Sequence, residues 1–271
     1  MSKIDKAAEH AWTASWNLQE SAKDKHSIEA KIKYINTAQL ESRRALNQLM
    51  KARGTQEIPH KEPEHIPVKK MPRIKRVPGV KVVNRGPFDT QDGLPKGMII
   101  HFTAGQSIEG TNKDAKGTLN WLAESRLGAV VIDQDGTSYV AENFDLGKWT
   151  SHGGSGKWKG QTNCSDLLLG LEVVNPGRLN SSGMSWFKKY FTGYKYWTKK
   201  DNIAAGNYLP YTKEQIDEIY RWDYFLTQQA DEYDTNWVIG HDEHSPGRKD
   251  DPGGALTMTM PEFRKTLEAN R

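Results

Sequence analysis

The chain has 271 residues, 36% of them hydrophobic and 27% charged. That length accommodates one full-sized domain with a smaller companion, and the single cysteine, Cys164, excludes an internal disulfide and reads as a small buried residue where a strand begins. A net charge of +4, from 38 basic and 34 acidic residues, gives no ground for a nucleic-acid partner.

No apolar run reaches the roughly 18 residues of a membrane-spanning helix. The first residues, Met-Ser-Lys-Ile-Asp-Lys, lack an apolar signal region. Synthesis in the cytoplasm without a signal peptide is expected, so action outside the cell would need another delivery route.

Residues 1–53 contain neither Pro nor Gly, and Ile4, Ala8, Trp12 and Trp16, then Ile28, Ile32, Ile35, Leu46 and Leu49, recur at helical spacing. The pattern predicts a helical hairpin broken at 21–26, with Ser27 capping the second helix and Gly54 closing it. Two helices bury too little to stand alone, so docking on the rest of the chain, on a second copy or on another protein is expected. Residues 54–97 hold seven of the twelve prolines, and such spacing predicts an extended tether. Between 54 and 86 eight Lys or Arg face three Glu. This local excess suits either an anionic polymer or a solvated linker.

The second domain is expected over 98–271. Residues 98–103 read as a short apolar strand and 118–125 as a helix. Residues 129–132 and 137–140 read as a hairpin across Asp135-Gly136, and 167–174 as an apolar strand interrupted by Gly170 and Glu172. An amphipathic helix is expected over 212–233 and a last helix from about residue 260, with Pro261 in its first turn. Strands and helices alternate without a nucleotide-binding Gly-rich loop. The fold class is therefore α/β, a mixed central sheet flanked by helices and preceded by a small α-helical segment.

Chemistry gathers at three places. After the apolar approach Trp237-Val238-Ile239, residues 240–255 form a loop rich in Gly, Pro and ionisable groups. Its His241 and Asp251 suit a borderline cation such as zinc, and Lys249 would set an ammonium beside the metal. His101 ends the first strand of the domain; it would be a third ligand, or a hydrogen-bonded half-buried histidine. Glu172 stands in Leu-Leu-Leu-Gly-Leu-Glu-Val-Val, where an unpaired carboxylate costs several kcal/mol. It is either the best general-base candidate in the chain or an edge-strand charge turned to water. Two His and one Asp would leave a coordination position open, as catalytic rather than structural zinc requires.

Three segments carry a family resemblance: Ile-Ile-His-Phe-Thr-Ala-Gly at 99–105, Gly-Leu-Glu-Val-Val-Asn at 170–175, and Gly-His-Asp-Glu-His-Ser-Pro-Gly-Arg-Lys-Asp-Asp-Pro-Gly at 240–253. In that order, over about 95–268, the chain resembles the type-2 N-acetylmuramoyl-L-alanine amidases, the class that includes phage endolysins, autolysins, recycling amidases and peptidoglycan recognition proteins. The resemblance implies a zinc amidase domain in which His101, His241 and Asp251 bind Zn2+. It further implies that Glu172 activates or orients water and that Lys249 stabilises the oxyanion. His152 matches a groove-lining histidine of the family. Trp158, Asn175 and Arg248 lie close to the motifs as further substrate-binding candidates.

The sequence departs from the family pattern in two places. His244 replaces a usual apolar residue and makes a His-x-x-His pair with His241, although Asp251 is the better-matched ligand. Gly128-Ala129-Val130-Val131 lacks the histidine many relatives carry before the hairpin. Between Pro176 and Pro210 an insertion brings Trp186, Phe187, Tyr190, Phe191, Tyr194, Tyr196 and Trp197 among lysines; these rings suit sugars and stem-peptide carboxylates, or merely pack the insertion down. The resemblance implies a peptidoglycan or muropeptide substrate and cleavage between N-acetylmuramic acid and L-alanine, in an endolysin or antibacterial effector acting on the wall after release or secretion. A cytosolic anhydro-muropeptide recycling amidase and a peptidoglycan-binding protein without catalysis are the alternatives. Residues 1–53 would supply contacts to a partner protein or a second copy.

Overall fold

The computed structural model describes residues 71–105, 113–201 and 203–269. The hairpin expected over 1–53, and the expected tether as far as residue 70, lie outside them.

Among the described residues nine strands form, in chain order: β1 (Ile74–Val77), β2 (Gly97–Phe102), β3 (Val130–Ile132), β4 (Ser138–Ala141), β5 (Leu168–Val173), β6 (Arg178–Leu179), β7 (Lys195–Trp197), β8 (Gly206–Tyr208) and β9 (Val238–Gly240). Six of them make one mixed sheet in the order β1-β4-β3-β5-β2-β9. The β3-β4 hairpin is antiparallel, and the other pairs of this sheet are parallel. The central strands β2 and β5 read Gly-Met-Ile-Ile-His-Phe and Leu-Leu-Gly-Leu-Glu-Val. Such near-continuous apolar runs are what strands covered on both faces require.

Helices provide the cover: α1 (Lys113–Glu124), α2 (Lys213–Gln229), the single turn α3 (His241–His244) and α4 (Met260–Ala269). Met98 and Ile100 of β2, with Leu169, Leu171 and Val173 of β5, pack against Ile219, Trp222 and Leu226 of α2 and Phe263 and Leu267 of α4. Each fully buried side chain of this kind contributes about 1.5–3 kcal/mol. On the other face Val131, Tyr139 and Ala141 meet Ala115, Leu119 and Leu122 of α1. That face also holds Ile99, Leu168 and Ile239, packed around the buried Cys164. His101 and Glu172 share the phase of Ile99 and Leu168, and so leave the sheet on this second face.

Register then brings the chemistry together. His101 is paired with Glu172 across β2 and β5, and Ile99 with Ile239 across β2 and β9. His241, two residues past Ile239, therefore arrives level with His101. Helix α2 is fixed to the same end of the sheet by a reciprocal cap at its start. Thr212 accepts from the Gln215 N–H, and the Gln215 amide donates to the Val174 carbonyl at 2.8 Å. Helix α1 begins five residues before its expected start, and Gly117 lies on its open side, where a side chain would meet nothing. No described helix is long and apolar enough to cross a membrane.

The expected tether is corrected over its second half. Residues 74–77 are the edge strand β1, paired with β4, and Val80, Val82 and Phe88 are buried. Pro72 and Pro78 bracket β1, and an edge strand tolerates proline because one side of its backbone carries no ladder. The fully buried Glu218 of α2 accepts from the Arg73 N–H at 2.7 Å, from Ser138 at 2.7 Å and from Arg221 at 2.9 Å. A chain starting at residue 71 should thus be more stable than one starting at Arg85, which loses β1, two core valines and a partner of Glu218. The valines alone are worth about 3–6 kcal/mol, which is roughly 10 °C or more in Tm for a domain of this size. Calorimetry of the two truncations tests this, and equal Tm values would contradict it.

The insertion between Pro176 and Pro210 forms its own antiparallel sheet in the order β6-β8-β7. Tyr208 is fully buried, and Trp197 lies against Gly254, where an added Cβ would come within 2.4 Å of the indole. These two rings pack the insertion onto the domain. Trp186, Tyr190 and Tyr196 stay exposed.

Candidate metal centre

Two imidazoles and a carboxylate converge at the carboxyl ends of β2 and β9. His101 Nδ1 lies 2.9 Å from His241 Nδ1 and 3.0 Å from Asp251 Oδ2, and the third edge, His241 Nδ1 to Asp251 Oδ2, is 2.9 Å. All three residues are buried, and together they form a group able to hold a metal ion. A tetrahedral ion with bonds of about 2.0–2.1 Å spaces its ligands roughly 3.3–3.4 Å apart, within about half an ångström of these edges.

The outer hydrogen bonds decide what each ring nitrogen carries. His152 Nε2 is 2.9 Å from the Leu168 carbonyl, which only accepts, so that nitrogen bears the proton. Burial, then the neighbouring His101, pushes His152 down to about 3, so its ring is neutral and Nδ1 keeps a lone pair. That lone pair faces His101 Nε2 at 3.2 Å, which must therefore donate. Burial and then His241 push His101 down to about 4, and its Nδ1 is left with a lone pair toward the triangle. His241 Nε2 lies 2.9 Å from the Gly153 carbonyl, which only accepts, so that nitrogen donates, and Nδ1 is the one turned to the triangle. Burial alone would raise Asp251, but its hydrogen bonds with both histidines outweigh this and hold it well below the usual carboxylate range. Three lone pairs thus meet at a point where no single proton can satisfy all of them, and a cation can.

His152, expected to line a substrate groove, lies beside His101. Both of its ring nitrogens are engaged, one on the backbone and one on His101. Its ring lies over Gly170, where an added Cβ would come within 2.6 Å of it, so the glycine that interrupts β5 is what admits the histidine. Ser165, which had no sequence signal, accepts from the N–H of His152 at 3.2 Å and of Gly153 at 2.9 Å. Partners one step out from a metal ligand typically carry 10–100-fold in metal affinity. His152→Ala is therefore expected to weaken zinc binding by about that factor in competition with a chelating dye. Unchanged affinity would show that the ring does not orient His101.

The other three groove candidates also serve the scaffold. Asn175 is buried, donates to the Leu209 carbonyl at 2.9 Å and accepts from Gly177 N–H at 3.0 Å. Trp158 donates to the Asn236 carbonyl at 3.2 Å and lies under the Arg264 guanidinium. Arg248 reaches the Gly153 and Ser155 carbonyls and Ser245 Oγ, holding the loop that contacts His241. His244 stands outside the triangle. Its ring centre is 5.9 Å from that of His241, its Nδ1 meets Ser245 Oγ at 3.1 Å, and burial pushes it down to about 4. Two supports had no sequence signal: Tyr211, whose hydroxyl donates to the His101 carbonyl at 3.2 Å, and Arg264, which clamps Glu243 of the His241 turn at 2.6 and 2.9 Å.

Glu172 and Lys249 complete the centre. Among the described residues neither side chain makes a hydrogen bond or an ion pair, yet the charges of both act on the triangle. Burial, then the charge of Asp251, pushes Glu172 up to about 8, with Lys249 opposing. An acid with a higher pKa in the folded than in the unfolded chain weakens the fold as it ionises, so its penalty grows from its ordinary 4.5 and levels off above about 8. His101, His152 and His244, held down at about 3 to 4, do not titrate between pH 7 and 8.5. Over that window metal-free protein should lose about 1 kcal/mol, roughly 3 °C in Tm, through Glu172. Glu172→Gln should remove most of that slope in calorimetric scans, leaving the smaller share of Asp242, which burial raises to about 7, and an unchanged slope would place the ionisation elsewhere.

A cation-ready triangle beside an unspent carboxylate and an ammonium, on the open end of a mixed α/β sheet, is a layout suited to hydrolysis. The family model described as N-acetylmuramoyl-L-alanine amidase matches residues 91–254, more than half of the chain, and the protein belongs to that family. It is an amidase of this class. No curated protein matches it significantly. Among solved structures it is similar to a selenomethionine derivative of AmpD, with 18% identity over 73% of this chain and 96% of that one, at a TM-score of 0.44. It is also similar to the amidase AmiD from E. coli, solved with anhydro-N-acetylmuramic acid-L-Ala-D-gamma-Glu-L-Lys, with 19% identity over 66% of this chain and 60% of that one, at a TM-score of 0.45. For Citrobacter freundii AmpD in solution the identity is 19% over 73% and 92% of the two chains, at a TM-score of 0.39.

Proposed function

We propose that the chain hydrolyses the amide between the lactyl group of N-acetylmuramic acid and L-alanine, with a zinc ion held by His101, His241 and Asp251, and that it acts on cell-wall peptidoglycan as a phage endolysin or antibacterial effector. The observation that supports the zinc reading is the convergence of the two Nδ1 atoms and the Asp251 oxygen, with both imidazoles fixed by partners on their far sides. Zinc bound there would supply Lewis acidity, making a water more acidic and polarising the scissile carbonyl.

The residues around it would do the rest. Glu172, unspent and held in a low-dielectric position, takes the proton of the attacking water and passes it to the departing amine of L-alanine as the C–N bond breaks. Lys249 brings its ammonium to the carbonyl oxygen as that atom becomes negative. His152 and the Gly153 carbonyl keep both ligand imidazoles in the acceptor tautomer throughout.

A role in recycling soluble anhydro-muropeptides uses the same chemistry, and what favours the wall is the exposed aromatic surface of the insertion. The presence of all five site residues supports catalysis over binding alone. Residues 1–53, as a docking module, belong to the same proposal. Digestion of intact sacculi and of soluble anhydro-muropeptide, with mass spectrometry of the products, tests it. Stem peptides with a free L-alanine amino group should be released from sacculi. Cleavage confined to the soluble fragment would favour recycling.

A further inference from the structure

Asp251 is the member of the triangle that the central sheet does not place. His101 lies in β2 and His241 opens α3 directly after β9, so strand register sets both. Asp251 follows in a loop, just before a short 3-10 turn, Gly253–Leu256. One side of that loop is tied to the His241 turn, where the Asp251 carbonyl accepts from the Asp242 N–H at 2.7 Å.

The other side is held by the insertion and the residue that ends it. Tyr208 of β8 and Trp197 of β7 lie against the two glycines after Pro252. An added Cβ at Gly253 would come within 2.8 Å of the Tyr208 ring, and one at Gly254 within 2.6 Å of Tyr208 and 2.4 Å of the Trp197 indole. Rings packed that closely on bare backbone resist any movement of the loop toward them. Arg178 of β6 meets Asp250, the residue before the ligand, at 3.3 Å. Tyr211, directly after Pro210, joins two ligand segments. Its N–H donates to the Ala255 carbonyl at 2.8 Å, and its hydroxyl donates to the His101 carbonyl at 3.2 Å. The ring between them is buried in one apolar cluster with Ala255 and Leu256. A single residue therefore spaces the end of β2 from the Asp251 loop.

We propose that the insertion and Tyr211 form a clamp that sets the Asp251 carboxylate against the two imidazoles, so that zinc affinity depends on a segment outside the ligand motifs. Trp197, Tyr208 and Tyr211 are its positioning residues. The inference rests on the zinc reading and deepens it: bound zinc tolerates ligand distances within about 0.2 Å of their usual values, and a loop left loose must be ordered when the ion binds. The test is competition for zinc against a chelating dye, in the full-length protein and in Trp197→Ala, Trp197→Phe, Tyr211→Phe and Tyr190→Ala. Trp197→Ala and Tyr211→Phe should each bind zinc about tenfold more weakly, the usual loss when a support one step out from a ligand is removed. Trp197→Phe, which keeps a ring over Gly254, should recover most of that affinity. Tyr190 belongs to the same insertion but is 67% exposed, and Tyr190→Ala should bind zinc as the wild type does. With cobalt in place of zinc, the visible absorption band reports ligand geometry. It should shift in Trp197→Ala and Tyr211→Phe, whereas a partly unfolded population would only weaken it. Should Trp197→Ala fail to fold, Tyr211→Phe carries the test, because it deletes one oxygen atom. Wild-type affinity and an unmoved cobalt band in Tyr211→Phe and Trp197→Ala, or an equal loss in Tyr190→Ala, would overturn the clamp. A wild type that takes up no zinc would instead overturn the zinc reading beneath it.

Discussion

Glu172→Ala is expected to lower kcat by about two to four orders of magnitude, the usual loss for a general base removed from a preorganised site. Lys249→Ala should fall in the same range, because an oxyanion donor acts on the transition state more than on bound substrate. In both variants zinc should remain bound and KM should change little, since neither side chain belongs to the ligand triangle. The two should differ in pH profile. Loss of Glu172 removes the acid limb set by its ionisation, and loss of Lys249 leaves that limb in place. Steady-state kinetics across pH on a soluble muramoyl-peptide separates the roles, and near wild-type turnover of Glu172→Ala at saturating substrate would send the search for the base elsewhere. His152 is a poor substitute, with both its ring nitrogens already engaged.

Chelation is expected to abolish activity altogether, and zinc to restore it. With the cation removed, three lone pairs face one another at 2.9–3.0 Å, and the metal-free protein should also be less stable. A ligand that binds only the native state stabilises it in proportion to the logarithm of its concentration over Kd, about 4 kcal/mol at a thousandfold excess. In a domain of this size that is roughly 8–16 °C in Tm. Activity that survives exhaustive chelation, with no Tm shift on adding zinc, would exclude the metal role.

Much of the domain was legible because its signals are local. The apolar runs of β2 and β5, the turn at Asp135-Gly136 and the period of α2 depend on neighbours in sequence, and each element lies within a few residues of its expected place. The metal ligands stood out through residue type and motif. The register of β2 with β5 and β9 then supplied what sequence could not, the placing of His101, Glu172 and His241 at one level.

What escaped depends on distant partners. Strand β1 hides in a proline-rich stretch because its partner, β4, lies more than sixty residues away. The hold on the His152 ring had no sequence signal, because its acceptor is a backbone carbonyl, that of Leu168, which leaves no trace in side-chain pattern. Gly170 did leave one: a glycine inside an apolar strand marks a close approach, and here the approaching group is the His152 ring. Asn175, Trp158 and Arg248 were placed near the motifs correctly, but their polar atoms hold loops together, a role that only the folded chain reveals.

The central claim is that His101, His241 and Asp251 form one zinc site on which the other residues depend. Its most direct test is calorimetric titration of zinc into metal-free wild-type protein and into Asp251→Ala, with metal content measured after dialysis. The wild type should take up one equivalent and keep it, while Asp251→Ala should retain little or none. Full stoichiometric zinc in Asp251→Ala would contradict the assignment.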